Sequence, residues 1–103
     1  MSKNKLILFT REGCCLCKGL EERLKEIPLE QINPPLELAV LDIDSDEVSA
    51  EQAESYSLEV PVLFLELQEP LSKYELPRVS PRLSEQGLLN WLKKVIQKLI
   101  GTN

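Results

Sequence analysis

Cys14 and Cys17, separated by two residues in Gly13-Cys14-Cys15-Leu16-Cys17, could do one of two kinds of chemistry: hold a soft metal, or form and break a disulfide. Zinc asks for four ligands. The chain has no histidine and its only other cysteine is Cys15, so a tetrahedral site made by one copy lacks donors. Monovalent copper could be held by two of these thiolates. A third reading packs the cysteines in the core as small hydrophobes, but their clustering beside Gly13 argues against it.

The elements around the motif decide what the thiols can do. Leu6-Ile7-Leu8-Phe9 is an apolar run too short for a helix and is predicted to be a central strand covered on both faces. After the cysteines, Leu16, Leu20, Leu24 and Ile27 recur at helical spacing with charged residues between them, and Pro28 stands where that helix should stop. Glu21 and Lys25 are in the favourable i, i+4 order. The helix opens near Cys15, so Cys14 lies at its positive end beside unpaired N–H groups, where a thiolate is favoured over a thiol. Cys14 is therefore the expected nucleophile. Cys17, about one turn on, is the expected resolving thiol.

The residues from Leu29 to Pro35 carry Asn33-Pro34-Pro35 and no sustained period, so they read as a surface connection; Leu36–Ile43 resumes as a strand. Strand, helix and strand make a βαβ unit that puts the cysteines at the C-terminal edge of the first strand. Asp42-Ile43-Asp44-Ser45-Asp46-Glu47 superficially resembles a calcium loop, but Glu47 replaces the turn glycine and Ala53 the bidentate glutamate, so calcium is rejected. A short helix is expected from Asp46 or Ser49 to Tyr56, with Ser49 and Gln52 at capping-box spacing. Pro61 precedes the apolar run Val62-Leu63-Phe64-Leu65 and can open a strand there, through a trans or a cis bond. A loop is expected from Gln68 to Ser72, then a last edge strand from Lys73 to Arg78 interrupted by Pro77. The final helix runs from Ser84 to about Ile100 and is ended by Gly101. It buries Leu88, Leu89, Leu92, Val95, Ile96 and Leu99, with Trp91 at the core edge.

At 103 residues the chain fits one domain, residues 1–103. No apolar run is long enough to span a membrane, and Met1-Ser2-Lys3-Asn4-Lys5 leads into only four apolar residues, too few for a signal-peptide core. A cytoplasmic location is expected. There a C-x-x-C is catalytic or metal-binding rather than a structural staple. The net charge is −5, and no basic residue stands between Lys25 and Lys73 while acids accumulate, so nucleic acid is not expected as a partner. The acids form a solubilising surface or, on a sharper reading, attract a basic protein.

The order β-α-β-α-β-β-α, with C-x-x-C after the first strand and Val60-Pro61 at the third, resembles the thioredoxin fold over nearly the whole chain. Within that superfamily, Thr10-Arg11-Glu12-Gly13-Cys14-Cys15-Leu16-Cys17, Asp42-Ile43-Asp44, Val60-Pro61-Val62-Leu63 and Leu88-Leu89-Asn90-Trp91-Leu92 resemble a family of small glutaredoxin-like proteins. The resemblance implies an α/β fold with a four-stranded mixed sheet flanked by helices. It also implies that Pro61 is cis, that the Val60 backbone pairs with substrate, and that Arg11 meets a glutathione carboxylate. The expected activity is thiol–disulfide exchange on protein or glutathione disulfides by a monomer with no bound cofactor, reduced by glutathione or a thioredoxin-type donor. The alternatives are a binding or assembly module whose cysteines hold a metal or cluster, and a structural domain with a dispensable dithiol. Departures are visible: Cys15-Leu16 stands where glutaredoxins carry proline-tyrosine, and Ser80-Pro81-Arg82-Leu83-Ser84 where a Gly-Gly and aspartate would bind the amino-acid end of glutathione. The first strand also lacks the buried acid of thioredoxins. Cys15 is expected near the surface.

Overall fold

The apolar run becomes β1 (Lys5–Thr10), the strand on which the sheet is built. A computed structural model describes residues 4–32, 35–46, 48–56, 60–68, 71–79 and 83–100. β1 is followed by α1 (Cys15–Glu26), β2 (Glu37–Asp42), α2 (Ala50–Tyr56), β3 (Val62–Gln68), β4 (Leu71–Glu75) and α3 (Glu85–Ile100). The sheet order is β2-β1-β3-β4. β1 lies parallel to β2, with Leu8 opposite Val40, and antiparallel to β3, with Leu8 opposite Leu63. β3 and β4 are also antiparallel. The sheet is therefore mixed, and β1, as expected, is interior to it.

Alternation along β1 sorts the core. Leu6 and Leu8 join Leu63 and Leu65 on one face, where Leu20 and Leu24 of α1 and Leu88, Leu92 and Ile96 of α3 cover them. The opposite face is sealed near the ends of β1 and β2 by Phe9, Ile43, Val48 and Val62, with Ala53 of α2 packed alongside. There the Phe9 and Phe64 rings meet edge to face, centroids 5.5 Å apart. α3 begins as expected, the Ser84 hydroxyl accepting from the Gly87 N–H at 3.1 Å. On α1 the Lys25 ammonium lies 2.8 Å from Glu21, and the hydrogen bond and charge of that carboxylate hold the amine above its ordinary pKa.

Three expectations are corrected. The buried stripe of α1 is Cys17, Leu20 and Leu24, continued by Ile27, and Leu16 is 51% exposed. The last strand starts earlier than expected: Gln68 faces Leu71 and Leu67 faces Ser72 across the β3–β4 pair, and Pro77 lies beyond the strand rather than inside it. The connection after α1 is anchored, not merely superficial, because Leu29 and Ile32 bury their side chains around a short 3-10 turn at Leu29–Gln31. Cross-strand backbone pairing and core burial outweighed the local proline signals in these stretches. The Gln52 side chain, Asn33-Pro34, Pro70, Ser80-Pro81-Arg82 and the expected stop at Gly101 lie outside the described residues.

Candidate active site at the first strand–helix junction

The junction is built by a tight turn. The Cys14 N–H donates to the Arg11 carbonyl at 3.1 Å, and Gly13 takes a φ of +86°, the value a type II turn asks of its third residue. A Cβ added at Gly13 would meet nothing within 4 Å. The glycine is thus needed for its backbone conformation and not for space. Gly13→Ala is expected to cost about 1–2 kcal/mol from left-handed strain alone, read as a lower urea midpoint with an unchanged slope.

That turn delivers Cys14 to the N-cap of α1. Its sulfur accepts the Cys17 backbone N–H at 3.1 Å and its carbonyl accepts the Lys18 N–H at 3.2 Å, so one residue caps the helix through both its side chain and its backbone. Cys14 and Cys17 are joined as a disulfide with Cα atoms 5.3 Å apart. Cys14 is half-buried, whereas Cys17 is 1% exposed and belongs to the packed stripe of the helix. The two sulfurs therefore differ in access, with Cys14 the one that a substrate could approach. Cys15 is exposed and unbonded, on the surface as the sequence suggests.

An open groove of about 520 Å³ passes Cys14 and Cys17 and is lined by the cations Arg11 and Lys18 and the anions Glu12, Glu21 and Asp42. Arg11 reaches across to the loop after β2, its Nε 3.2 Å from Asp44 Oδ2 with both side chains about half exposed. The loop is shaped for this contact: the Asp44 N–H donates to the Asp42 carboxylate at 2.8 Å, and the Ser45 hydroxyl donates to the Asp42 carbonyl at 2.7 Å. Asp42 and Asp44 of the rejected calcium loop are thus engaged with the backbone and with Arg11. Among the described residues, no group of three or more His, Cys, Asp or Glu side chains is placed to hold a metal ion.

Arg11, Cys14 and Cys17 line one groove, whereas Pro61 lines a neighbouring crevice shared with Leu16 of the same helical turn. The Val60–Pro61 bond is cis, against the general preference for trans. Val60 packs on the small apolar cluster around Phe9. With Leu20, Arg78 and Val79, Pro61 and Leu16 complete the lining of that crevice. Sequence reasoning missed Leu16, assigned to the core, together with Arg78 and Asp44. The run of three candidate stripe residues, Leu16, Cys17 and Leu20, was the available signal for Leu16. Arg78 and Asp44 had none, because their partners are distant in the chain.

The chain is similar to a thioredoxin from Thermus thermophilus at 19% identity and a TM-score of 0.62, covering 93% of this chain and 75% of that one. It is also similar to thioredoxin 1 from the thermophilic eubacterium Thermosipho africanus TCF52B at 17% identity and a TM-score of 0.55, covering 93% and 98% of the two chains. A malarial protein gives a TM-score of 0.55 at 17% identity, covering 92% and 99%. These likenesses establish the thioredoxin-like fold. No curated protein sequence matches the chain. The family model described as the glutaredoxin-like domain (DUF836) matches residues 5–93, which include the turn, both cysteines and Pro61, and the chain belongs to that family.

Proposed function

We propose that the protein is a thiol–disulfide oxidoreductase in which Cys14 is the nucleophile and Cys17 the resolving thiol. The observation that carries this reading is the asymmetry of the pair: a reachable sulfur at the helix N-cap, accepting a backbone N–H, bonded to a buried sulfur one turn further on. In the reduced protein the same N–H and the helix dipole favour the Cys14 thiolate. That thiolate attacks one sulfur of a substrate disulfide. The substrate S–S bond breaks, the departing thiolate leaves with the electron pair and takes a proton from solvent, and a mixed disulfide forms at Cys14. Cys17, deprotonated, then attacks the Cys14 sulfur and releases the second substrate thiol. Two electrons have passed to the substrate, and the Cys14–Cys17 bond remains.

The dithiol is restored by two glutathione thiols or by a thioredoxin-type dithiol, which leaves as a disulfide. Arg11 holds a substrate carboxylate beside Cys14, and the Val60 backbone, ahead of Pro61, pairs with the substrate chain. The protein acts as a monomer in the cytoplasm on protein or glutathione disulfides.

Alkylation of the reduced protein across pH, resolved by peptide mass spectrometry for each cysteine, tests the reading without a known substrate. Cys14 is expected to titrate below the ordinary thiol range and Cys17 not to. A Cys14 that reacts like a free cysteine, with no reduction of insulin-type or glutathione disulfides, would overturn it and direct attention to metal content. Asp44→Asn removes a negative partner of Arg11 and is expected to lower the Cys14 midpoint by only a fraction of a pH unit. The charges of Arg11 and Asp44 are about half exposed, and solvent and salt weaken their effect on the sulfur. The same titration measures it.

A further inference from the structure

The crevice beside Pro61 has a composition that the groove at Cys14 lacks. It holds about 150 Å³, walled by Leu16, Leu20, Pro61 and Val79, with Arg78 the one charged residue among the described residues that line it. Leu16 is 51% exposed although it lies inside the cysteine motif, so an apolar surface of the first helical turn is left open to solvent. Arg78 is exposed, and it makes no ion pair with any described residue. Its neighbours Leu76 and Val79 are 4% and 7% exposed, so the backbone that carries it is anchored in the core. Glu75 shares an adjoining crevice with Arg78, Pro61 and Val79 but does not line this one, and it forms no ion pair with Arg78. By contrast, the groove at Cys14 mixes two cations with three anions and has no net preference for an acid.

We infer that this crevice and Arg78 determine which disulfides the protein accepts: those of polypeptides in which an apolar side chain and a carboxylate lie within about two residues of the reacting cysteine. The inference rests on the disulfide-exchange reading above and adds the substrate class to it. Leu16 is two residues from Cys14, a span of at most about 7 Å, so the residue next to a substrate cysteine docked on Cys14 reaches the crevice. A volume near 150 Å³ with apolar walls takes one aliphatic side chain. A carboxylate one residue further on meets the guanidinium, with which it can pair bidentately. Glutathione carries no apolar side chain to fill the crevice, so it forgoes the contact that a leucine or valine would make. The chain as a whole carries a charge of −5, so an acidic partner is not drawn in from a distance and the selection acts at contact.

The test uses the full chain carrying Cys15→Ser and Cys17→Ser, so that the first exchange stops at the mixed disulfide. The probes are disulfide-linked dimers of short peptides with Cys-Leu-Glu, Cys-Leu-Gln or Cys-Leu-Lys at the centre, and oxidised glutathione. In each reaction the Cys14 thiolate forms one S–S bond, one peptide S–S bond breaks, and one peptide thiol is released, which intact mass and thiol release both count. The Glu peptide is expected to react about fivefold faster than the Lys peptide, the size of one exposed ion pair. Arg78→Glu reverses that order, Arg78→Lys keeps most of it, and Leu16→Ser slows all three peptides while sparing glutathione. An order unchanged by Arg78→Glu overturns the inference while the exchange reading stands. So does an Arg78→Ala variant that slows glutathione as much as the Glu peptide, since it would assign Arg78 to a glutathione carboxylate. A Leu16-dependent dimer that excludes the peptides also overturns it, by making a second copy the occupant. Failure to react with any disulfide, glutathione included, removes the exchange reading itself.

Discussion

Cys14→Ser is expected to reduce disulfide turnover to the level of buffer alone, whereas Cys17→Ser is expected still to perform the first exchange and to accumulate a mixed disulfide with its substrate. The difference follows from where the two sulfurs sit. Cys14 is half-buried at the helix N-cap with a backbone N–H on its sulfur, and a serine hydroxyl there stays protonated and does not attack sulfur. Cys17 is 1% exposed, so it cannot meet a substrate directly, but it is placed to attack Cys14 from inside the same turn. Both variants are made in a Cys15→Ser background, because the exposed third thiol could otherwise carry an adduct of its own. Turnover with a reductant and intact mass after substrate exposure read the two halves separately. An adduct on Cys14→Ser and none on Cys17→Ser would reverse the assigned roles.

Leu8→Ala is expected to lower the free energy of unfolding by about 3 kcal/mol, within the range of about 2–5 kcal/mol for emptying a leucine site in a packed core. Domains of this size have a total stability of only about 5–15 kcal/mol, so the loss is a large share. Leu8 is 0% exposed on the interior strand, opposite Val40 on one side and Leu63 on the other, under the layer made by α1 and α3. Its cross-strand neighbour Val40 is 38% exposed at the sheet edge, and Val40→Ala should cost under about 1 kcal/mol. Urea unfolding of the oxidised protein measures both, with slopes expected to match the unsubstituted chain. Equal losses at the two positions would mean that the β1 face is not the centre of the core.

Much of the strand–helix junction that carries the cysteines was legible because it is local. Gly13 ahead of Cys14, a strand before and an amphipathic pattern after are all read from neighbours in the chain, and they place Cys14 at a helix start. The structure adds the cap contact and the disulfide. The face of α1 was not legible in the same way. At about 100° per residue, Leu16 and Cys17 fall at similar angles on either side of the direction shared by Leu20, Leu24 and Ile27, so periodicity cannot choose between them. Hydrophobicity favoured the leucine, yet the helix turns the cysteine inward and leaves the leucine at the crevice. The last strand was misplaced for a related reason. Pro77 marked an interruption, but the register of β4 is set by β3, whose Gln68 pairs with Leu71.

The alternation of strands and helices, and the dithiol at the first strand–helix turn, can be read along the chain alone. Those features depend on backbone preferences and on apolar spacing within a few residues. Folding in three dimensions settles which cysteine is buried, that Arg11 meets Asp44, and that Pro61, Arg78 and Val79 close a crevice against Leu16. These contacts join residues that meet only when the strands pair and the helices pack on the sheet, and no pattern along the chain records which distant residue will arrive.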